Sequence, residues 1–303
     1  MKILRGYLLF VDPWAVKLFK YIKYFISTFT LVASFFFCLQ GEHYPLYFLI
    51  GLSLFIILGD NFLKQNMVIE KYSYPILLNL PIYVNLFILL FFVIMSIGLL
   101  SNQLPIWMLN GFNNHFNVNL SSVSTSMSFI DKMAFVFLIS LFIGMMGTVP
   151  GHELTHRKKN KFDMFIGNWL LAFSWDCAFA IEHVYGHHKN VCLENDPASA
   201  KRGENVYMFI LRAIIKEQKD AWLIELDSLK RRNQNYFSLK NRMIMGYVRS
   251  FLLTALIGVF SGLQGLCTFL LCAFLAKSLL EAINYIEHYG LVREPGKPVS
   301  PRH

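Results

Sequence analysis

The sequence predicts an all-α integral membrane protein of about six transmembrane helices with a cytoplasmic, histidine-rich metal site. Three observations support this prediction. Hydrophobic residues make up 55% of the 303-residue chain and charged residues 16%, whereas a soluble domain carries about 25% charge. Apolar runs long enough to cross a bilayer recur along the chain. Five of the nine histidines fall within residues 151–190, a concentration that indicates a metal site.

Six apolar runs predict the spans of a single domain that covers residues 1–303. They lie at residues 24–40, 44–59, 75–100, 129–149, 243–260 and 263–280. The short connector 41–43 makes the first two runs a helical hairpin, and the uncharged tip Ser261-Gly262 joins the last two. The basic lead-in, residues 1–23, is expected at the membrane surface with Trp14 and Phe19 in the interface. No cleavable signal peptide is expected.

Lysine and arginine are distributed unequally between the two sides of these spans. The N-terminus, the 64–71 loop and the 157–161 run carry them, whereas the 41–43 connector and the 101–128 loop have none. Because cytoplasmic loops carry the positive charge, we expect the N-terminus and the histidines on the cytoplasmic face of a bacterial inner membrane. The net charge of +9 follows from the same bias. No basic and aromatic pattern indicates a nucleic-acid partner.

Two further segments do not fit the pattern of full spans. The apolar run 162–181 begins and ends beside histidine clusters, so it is predicted to be a re-entrant or surface-lying helix covered by protein. The polar segment 189–242 carries apolar residues at helical spacing beside lysines and arginines. It predicts an amphipathic helix on an anionic membrane face. A docking surface for an acidic redox protein is the alternative.

The histidines form three clusters with spacings that suit metal ligation. His152 and His156 are four residues apart, as are His183 and His187, so each pair shares a face of an α-helix. The next residue, His188, lies about 100° from His187. A single histidine in a membrane protein is usually a hydrogen-bonded core residue, but this recurrence predicts a metal site. Imidazole suits iron, zinc, copper or nickel, so the metal stays open at this point.

The third cluster lies at the end of the last span. Glu281, Asn284 and His288 follow one helical stripe. Of these, His288 is the natural metal ligand. Glu281 and Asn284 are predicted to orient it through hydrogen bonds, without binding the metal themselves.

The motifs around these histidines resemble a known family. They are His152-Glu153-Leu154-Thr155-His156, then Glu182-His183-Val184-Tyr185-Gly186-His187-His188, then Glu194-Asn195-Asp196-Pro197-Ala198-Ser199, and last Asn284-Tyr285-Ile286-Glu287-His288-Tyr289-Gly290-Leu291. The sequence resembles the membrane-bound alkane 1-monooxygenases and xylene monooxygenases, within the fatty acid desaturase and hydroxylase superfamily. The last motif and the Asp-Pro-Ala-Ser run are more specific to this branch than the histidines alone.

The resemblance implies a function and a set of ligands. It implies two non-haem iron ions, dioxygen as the oxidant, and terminal hydroxylation of a medium-chain or long-chain alkane or a related alkyl or lipid substrate. A rubredoxin-like protein is the implied electron donor. The implied iron ligands are His152, His156, His183, His187, His188 and His288. The family carries a further H-x-x-H-H box, so the chain is expected to be incomplete at its C-terminus. If it is complete, we expect a half-built site with little oxygenase activity.

Two other functions remain open from the residues. His152-Glu153-Leu154-Thr155-His156 also fits the H-E-x-x-H signature of zinc metallopeptidases, with Glu153 as general base. An intramembrane zinc peptidase needs only one further ligand, so it leaves most of the other histidines without a role. The second alternative is an inactive, truncated relative of the oxygenases. Substrate length and oligomeric state are left open.

Overall fold

The computed structural model describes residues 20–63 and 71–300, and every regular element in these ranges is a helix. The predictions for Trp14, Phe19 and most of the 64–71 loop lie outside the described residues. The first eight α-helices, in chain order, are α1 Ile26–Cys38, α2 Tyr44–Phe62, α3 Ile76–Ser101, α4 Ile106–Phe116, α5 Leu120–Ser126, α6 Phe129–Phe142, α7 Val149–His156 and α8 Lys161–Ala172. Four others follow: α9 Phe179–Glu182, α10 His188–Asn190, α11 Val206–Arg231 and α12 Arg242–His288.

Five helices within the described ranges are long and apolar enough to cross a membrane. They are Lys20–Cys38, Tyr44–Phe62, Ile76–Ser101, Phe129–His156 and Arg242–His288. The last is 47 residues long and is broken at Gly262, whose φ of 64° is non-helical. It therefore forms two arms, 242–261 and 263–288, that meet at the predicted tip. The six predicted spans correspond to these segments, and the chain is an all-α integral membrane protein.

The fourth span continues further than its hydropathy predicts. A π-helical turn, Ile143–Thr148, joins α6 to α7 without a break, so one continuous helix runs from Phe129 to His156. Ser128 and Asp131 form a capping box at its start. His152 and His156 therefore lie on the last turns of a spanning helix, which gives them a rigid support.

The predicted helix 162–181 is in fact a helix followed by a turn. Helix α8 ends at Ala172, and Trp175 has a left-handed φ of 55°. The indole Nε1 of Trp175 donates a hydrogen bond to Thr254 Oγ1 at 3.0 Å. Thr254 lies twelve residues into α12, about 18 Å from its first residue. The turn thus reaches well along a spanning helix and is covered by protein, as a re-entrant segment requires.

Helix α11 is amphipathic, as predicted, and packs against α9 and α12. Its buried stripe repeats every four residues and consists of Phe209, Ala213, Glu217, Ala221, Glu225 and Leu229. The two buried glutamates were not expected from the sequence. Glu225 accepts hydrogen bonds from the backbone N–H and side chain of Arg242, and Glu217 bonds Lys277. These bonds fasten α11 to both arms of α12.

Candidate metal centre

The first pair of histidines is supported by close packing of two helices. Gly151 precedes His152 on α7, and Gly167 lies opposite on α8. A Cβ on Gly167 would lie 2.9 Å from Leu154 Cβ, and one on Gly151 would lie 3.1 Å from the Gly167 carbonyl oxygen. The absence of side chains at both glycines lets α7 and α8 approach this closely. The rings of His152 and His156 lie 4.7 Å apart on the resulting helix end.

A second π-helical turn, His183–His187, changes which histidines lie together. In a π turn, residues five apart share a face, where an α-helix would bring together residues four apart. His188 therefore joins His183. His152, His156, His183 and His188 each offer a ring nitrogen, and these nitrogens all lie within 4.8 Å of one another. We call them the four-histidine group. The rings of His183 and His187 also lie side by side, and the assignment of His187 as a metal ligand stays a prediction.

His187 and His288 adjoin this group. The ring of His187 lies 5.2 Å from that of His183 and 5.1 Å from that of His288. His187 is therefore between the four-histidine group and the end of α12. The structure brings all six predicted histidines into one region, four of them with converging nitrogens.

Sequence analysis missed the partner of His187. Its Nδ1 lies 3.0 Å and 3.1 Å from the two carboxylate oxygens of Asp196, which is buried. Ser199 donates a hydrogen bond to the same carboxylate at 2.5 Å. A carboxylate on one ring nitrogen fixes the tautomer and leaves Nε2 to bind a metal. Asp196 and Ser199 belong to one of the quoted motifs, which was the available signal.

The surroundings lower the pKa of two of these imidazoles, those of His183 and His188. Burial lowers the pKa of His183, and the neighbouring His152 lowers it further. Burial also lowers the pKa of His188. Burial acts to lower the pKa of His187 too, but the hydrogen bond and charge of Asp196 outweigh it and raise that pKa. Neutral imidazole is the form that ligates metals.

One nitrogen of the group lacks a partner. His183 Nε2 is buried and has no hydrogen bond among the described residues. A buried polar atom without a partner is costly unless a metal or water satisfies it. The Phe179 ring stacks on His183 with centroids 4.3 Å apart and lies 5.0 Å from the ring of His152. His156 and His188, by contrast, are exposed. The group thus fits a metal that is shielded on one side and reachable from the other.

Two carboxylates close to the ligands differ in environment. Burial, followed by the charge of Asp196, raises the pKa of Glu182 to about 8. Glu153, the general base of the peptidase hypothesis, is more than half exposed and pairs with Arg157 at 2.9 Å. The negative charge of Glu153 is therefore paired with Arg157, four residues later in the sequence.

Glu281 and Asn284 occupy a separate ion cluster beside the histidines. Lys277 Nζ lies 2.9 Å from Asp176, 2.7 Å from Glu217 and 2.7 Å from Glu281, and all four side chains are buried. We call these residues the Lys277 cluster. Asn284 donates a hydrogen bond to Glu281 at 3.1 Å. The role predicted for Glu281 and Asn284 in orienting His288 stays a prediction.

The other described histidines lie at the far end of the fold. His43 pairs with buried Asp131 at 3.1 Å. Asp131 lies on the first turn of the spanning helix Phe129–His156, and His156 lies on its last turn. His115 is on α4 in the opposite loop region. His303 lies outside the described residues.

Comparison with known proteins gives a consistent result. A model of the family described as fatty acid desaturase matches residues 132–303. Alkane 1-monooxygenase 1 of Pseudomonas aeruginosa is 35% identical over 168 residues, covering 55% of this chain and 44% of that protein. Alkane 1-monooxygenase of Acinetobacter baylyi is 36% identical over 172 residues, covering 55% and 40%. The xylene/toluene monooxygenase hydroxylase component XylM of Pseudomonas putida is 34% identical over 160 residues, covering 52% and 42%. The chain spans less than half the length of these relatives.

Proposed function

The chain belongs to the fatty acid desaturase family, and from this membership we propose that it is a membrane non-haem di-iron monooxygenase. Its substrate is a medium-chain or long-chain alkane, or a related alkyl or lipid chain, hydroxylated at the terminal carbon with dioxygen. A rubredoxin-like protein supplies the electrons. The observation that carries the proposal is the four-histidine group, whose ring nitrogens lie within 4.8 Å of one another at the end of a spanning helix.

The donor set supports a pair of metal ions. Four imidazoles converge, and His187 and His288 stand beside them with a 5.1 Å separation of their rings. We assign His152, His156, His183, His187, His188 and His288 as ligands of two irons. Imidazole suits iron as well as zinc, and iron is preferred because the relatives are monooxygenases. Bound iron supplies the strong oxidant that an unactivated C–H bond requires.

The residues of this chain perform the remaining tasks. Asp196 holds the His187 ring in one orientation through its Nδ1. Phe179 covers His183 and His152 with an apolar ring and excludes water from that side. The exposed His156 and His188 leave the opposite side open.

The membrane context supports the choice of substrate. Three of the proposed ligands, His152, His156 and His288, lie at the ends of spanning helices, so an apolar chain reaches them from the bilayer interior while electrons arrive from the aqueous side. We place this end of the molecule in the cytoplasm, because lysine and arginine concentrate there. We further propose that the chain is a single domain of a bacterial inner membrane.

The zinc peptidase hypothesis has less support. A metallopeptidase needs Glu153 directed at a metal-bound water, but the Glu153 side chain is paired with Arg157. No observation on this molecule favours that function over hydroxylation.

Metal content and turnover together test the proposal. The protein is purified in detergent from cells grown with iron, and iron and zinc are counted per chain by elemental mass spectrometry. We expect about two iron ions per chain and conversion of octane to 1-octanol when rubredoxin and a reductase are added. Zinc in place of iron would contradict the proposal, as would an iron-loaded protein that oxidises no alkyl substrate.

A further inference from the structure

Arg249 is a cationic side chain within a membrane-spanning helix. It lies seven residues after Arg242, the first residue of α12, and so about 10 Å along that helix. It is partly buried, and it has no hydrogen bond or ion pair with any other residue of the described chain. Charged residues at membrane depth are costly and mark functional sites, normally with a partner.

Three other buried or partly buried cations among the described residues are paired. Lys277 contacts three carboxylates. Arg293 donates to the backbone carbonyls of Lys189 and Val191. Arg242 pairs with Glu225 and lies over the Tyr185 ring, 5.3 Å from its centroid. Arg249 therefore stands out as a cation whose counter-charge the described chain does not provide.

Arg249 lines a cleft of about 200 Å³ between α8, α9 and the first arm of α12. Asn168, Cys177, Ala180, Arg242 and Met245 also line it, and no carboxylate does. A water molecule takes about 30 Å³ of liquid volume, so the cleft holds a group several times larger. Arg242 is already paired with Glu225, so Arg249 supplies the uncompensated charge of the cleft, and with no acid in its walls the cleft favours an anion.

The neighbouring surface indicates what kind of molecule carries that anion. Phe165, three residues before Asn168 on α8, is 54% exposed, and Leu252, three residues after Arg249 on α12, is 56% exposed. A ligand with an anionic head and apolar chains satisfies both surfaces. Guanidinium binds phosphate oxygens in a bidentate manner, and phosphate groups lie at the membrane interface where α12 begins.

We propose that this cleft binds the headgroup of an anionic phospholipid, with the phosphate on Arg249 and the acyl chains along Phe165 and Leu252. A zwitterionic choline headgroup binds less well, because its own ammonium group offsets the charge of its phosphate. The site is separate from the proposed metal centre. Ala180 and Ile181 line the cleft, whereas Phe179 and His183, one turn apart, face the histidines.

Native mass spectrometry of the full-length protein tests the assignment. Delipidated protein is titrated separately with phosphatidylglycerol, phosphatidylcholine, oleate and inorganic phosphate. Phosphatidylglycerol is expected to bind most tightly, and Arg249→Gln to weaken it about tenfold or more, as loss of a charged hydrogen-bond donor implies. Arg231→Gln is the matched control, because Arg231 is exposed at the last turn of α11. It should bind like the unmodified protein.

A second variant keeps the test independent of the charge change. Ala180→Leu fills the cleft without removing either arginine, and it should weaken phosphatidylglycerol binding to a similar extent. Unfolding temperature and size-exclusion profile identify a variant that fails to fold. Unchanged binding in a folded Arg249→Gln or Ala180→Leu variant would overturn the proposal. Oleate or inorganic phosphate that binds as tightly as phosphatidylglycerol would overturn the assignment to a phospholipid.

Discussion

The four-histidine group and the Lys277 cluster show two ways of bringing polar side chains together in one region of a membrane protein. In the Lys277 cluster three carboxylates surround an ammonium group that the chain itself supplies, and all four side chains are buried. In the four-histidine group four imidazoles converge with no cation among them, and two of the rings are exposed. The first cluster is complete by itself, whereas the second gathers metal donors at a place that solvent reaches.

The two clusters share structural elements. Asp176 lies in the re-entrant turn that leads to Phe179, the ring that stacks on His183. Lys277 and Glu281 lie on the arm of α12 that ends at His288. A buried ion pair stabilises little beyond an apolar pair but is costly to break. The Lys277 cluster therefore serves chiefly to hold the re-entrant segment against α12, so that both sets of ligands stay in place.

The largest expected effect is the loss of bound metal when a member of the four-histidine group is removed. His183→Ala removes the most enclosed ligand of the four-histidine group and changes no span. We expect iron per chain to fall to background, measured by elemental mass spectrometry, with an unchanged size-exclusion profile. His43→Ala, at the opposite end of the molecule, is the control and should keep its iron. Full iron content in His183→Ala would remove this residue from the site.

Removing the ammonium group of the Lys277 cluster tests whether this cation is necessary for the stability of the fold. Lys277→Met leaves the buried carboxyl groups of Asp176, Glu217 and Glu281 without their ammonium partner, which should cost about 3–5 kcal/mol of unfolding free energy. Thermal or denaturant unfolding in detergent measures the loss. Lys216→Met, at an exposed position on α11, should change stability by no more than about 0.5 kcal/mol. Equal stability of the two variants would mean that the Lys277 cluster does not hold the re-entrant segment against α12.

Asp196→Asn separates metal affinity from folding. The amide has nearly the same shape, but it no longer holds a proton on His187 Nδ1 by charge. We expect metal affinity to fall about 10-fold to 100-fold, measured by competition with a chelator. Asp227→Asn, an exposed residue paired with Arg231, should leave affinity unchanged. If both variants hold metal equally, the contact between Asp196 and His187 has no part in binding.

The smallest effect is expected at Glu217. Burial raises the pKa of Glu217 well above its ordinary value, although the charge of Lys277 acts to lower it. A carboxyl with a raised folded-state pKa stabilises the fold at low pH, and that contribution is lost as pH rises from the ordinary glutamate range towards the folded pKa. Glu217→Gln should therefore change stability at neutral pH by about 1 kcal/mol or less.

The pH dependence provides the second measurement on this variant. Unfolding temperatures are compared from about pH 5 to about pH 9, and Glu217→Gln should lose less stability than the unmodified protein as pH rises. A steeper loss in the variant would show that Glu217 is ionised in the folded protein, so that all three carboxylates depend on Lys277.

Much of the architecture follows from local properties of the sequence. Hydropathy located the spanning segments and the tip at Gly262, because bilayer thickness sets the length of apolar runs. The spacing of His152 and His156 on one face was correct, because that segment is an α-helix. The turn His183–His187 is π-helical and brings His188 beside His183, and nothing in the spacing of these histidines distinguishes a π turn from an α turn.

By itself the sequence determined the all-α membrane class, the positions of the spans and the six histidines that gather at one end. These depend on hydrophobicity and on neighbours a few residues apart, which are local quantities. Only the tertiary structure decided which histidine nitrogens converge and that Asp196 holds His187. It also decided that Lys277 bonds Asp176, 101 residues away in the sequence, and that no carboxylate of the described chain pairs with Arg249. Each of these is a contact, or a missing contact, between segments that are far apart in the sequence. Electrostatic pairing across a packed core depends on distances in space, which cannot be read from the number of residues between two positions.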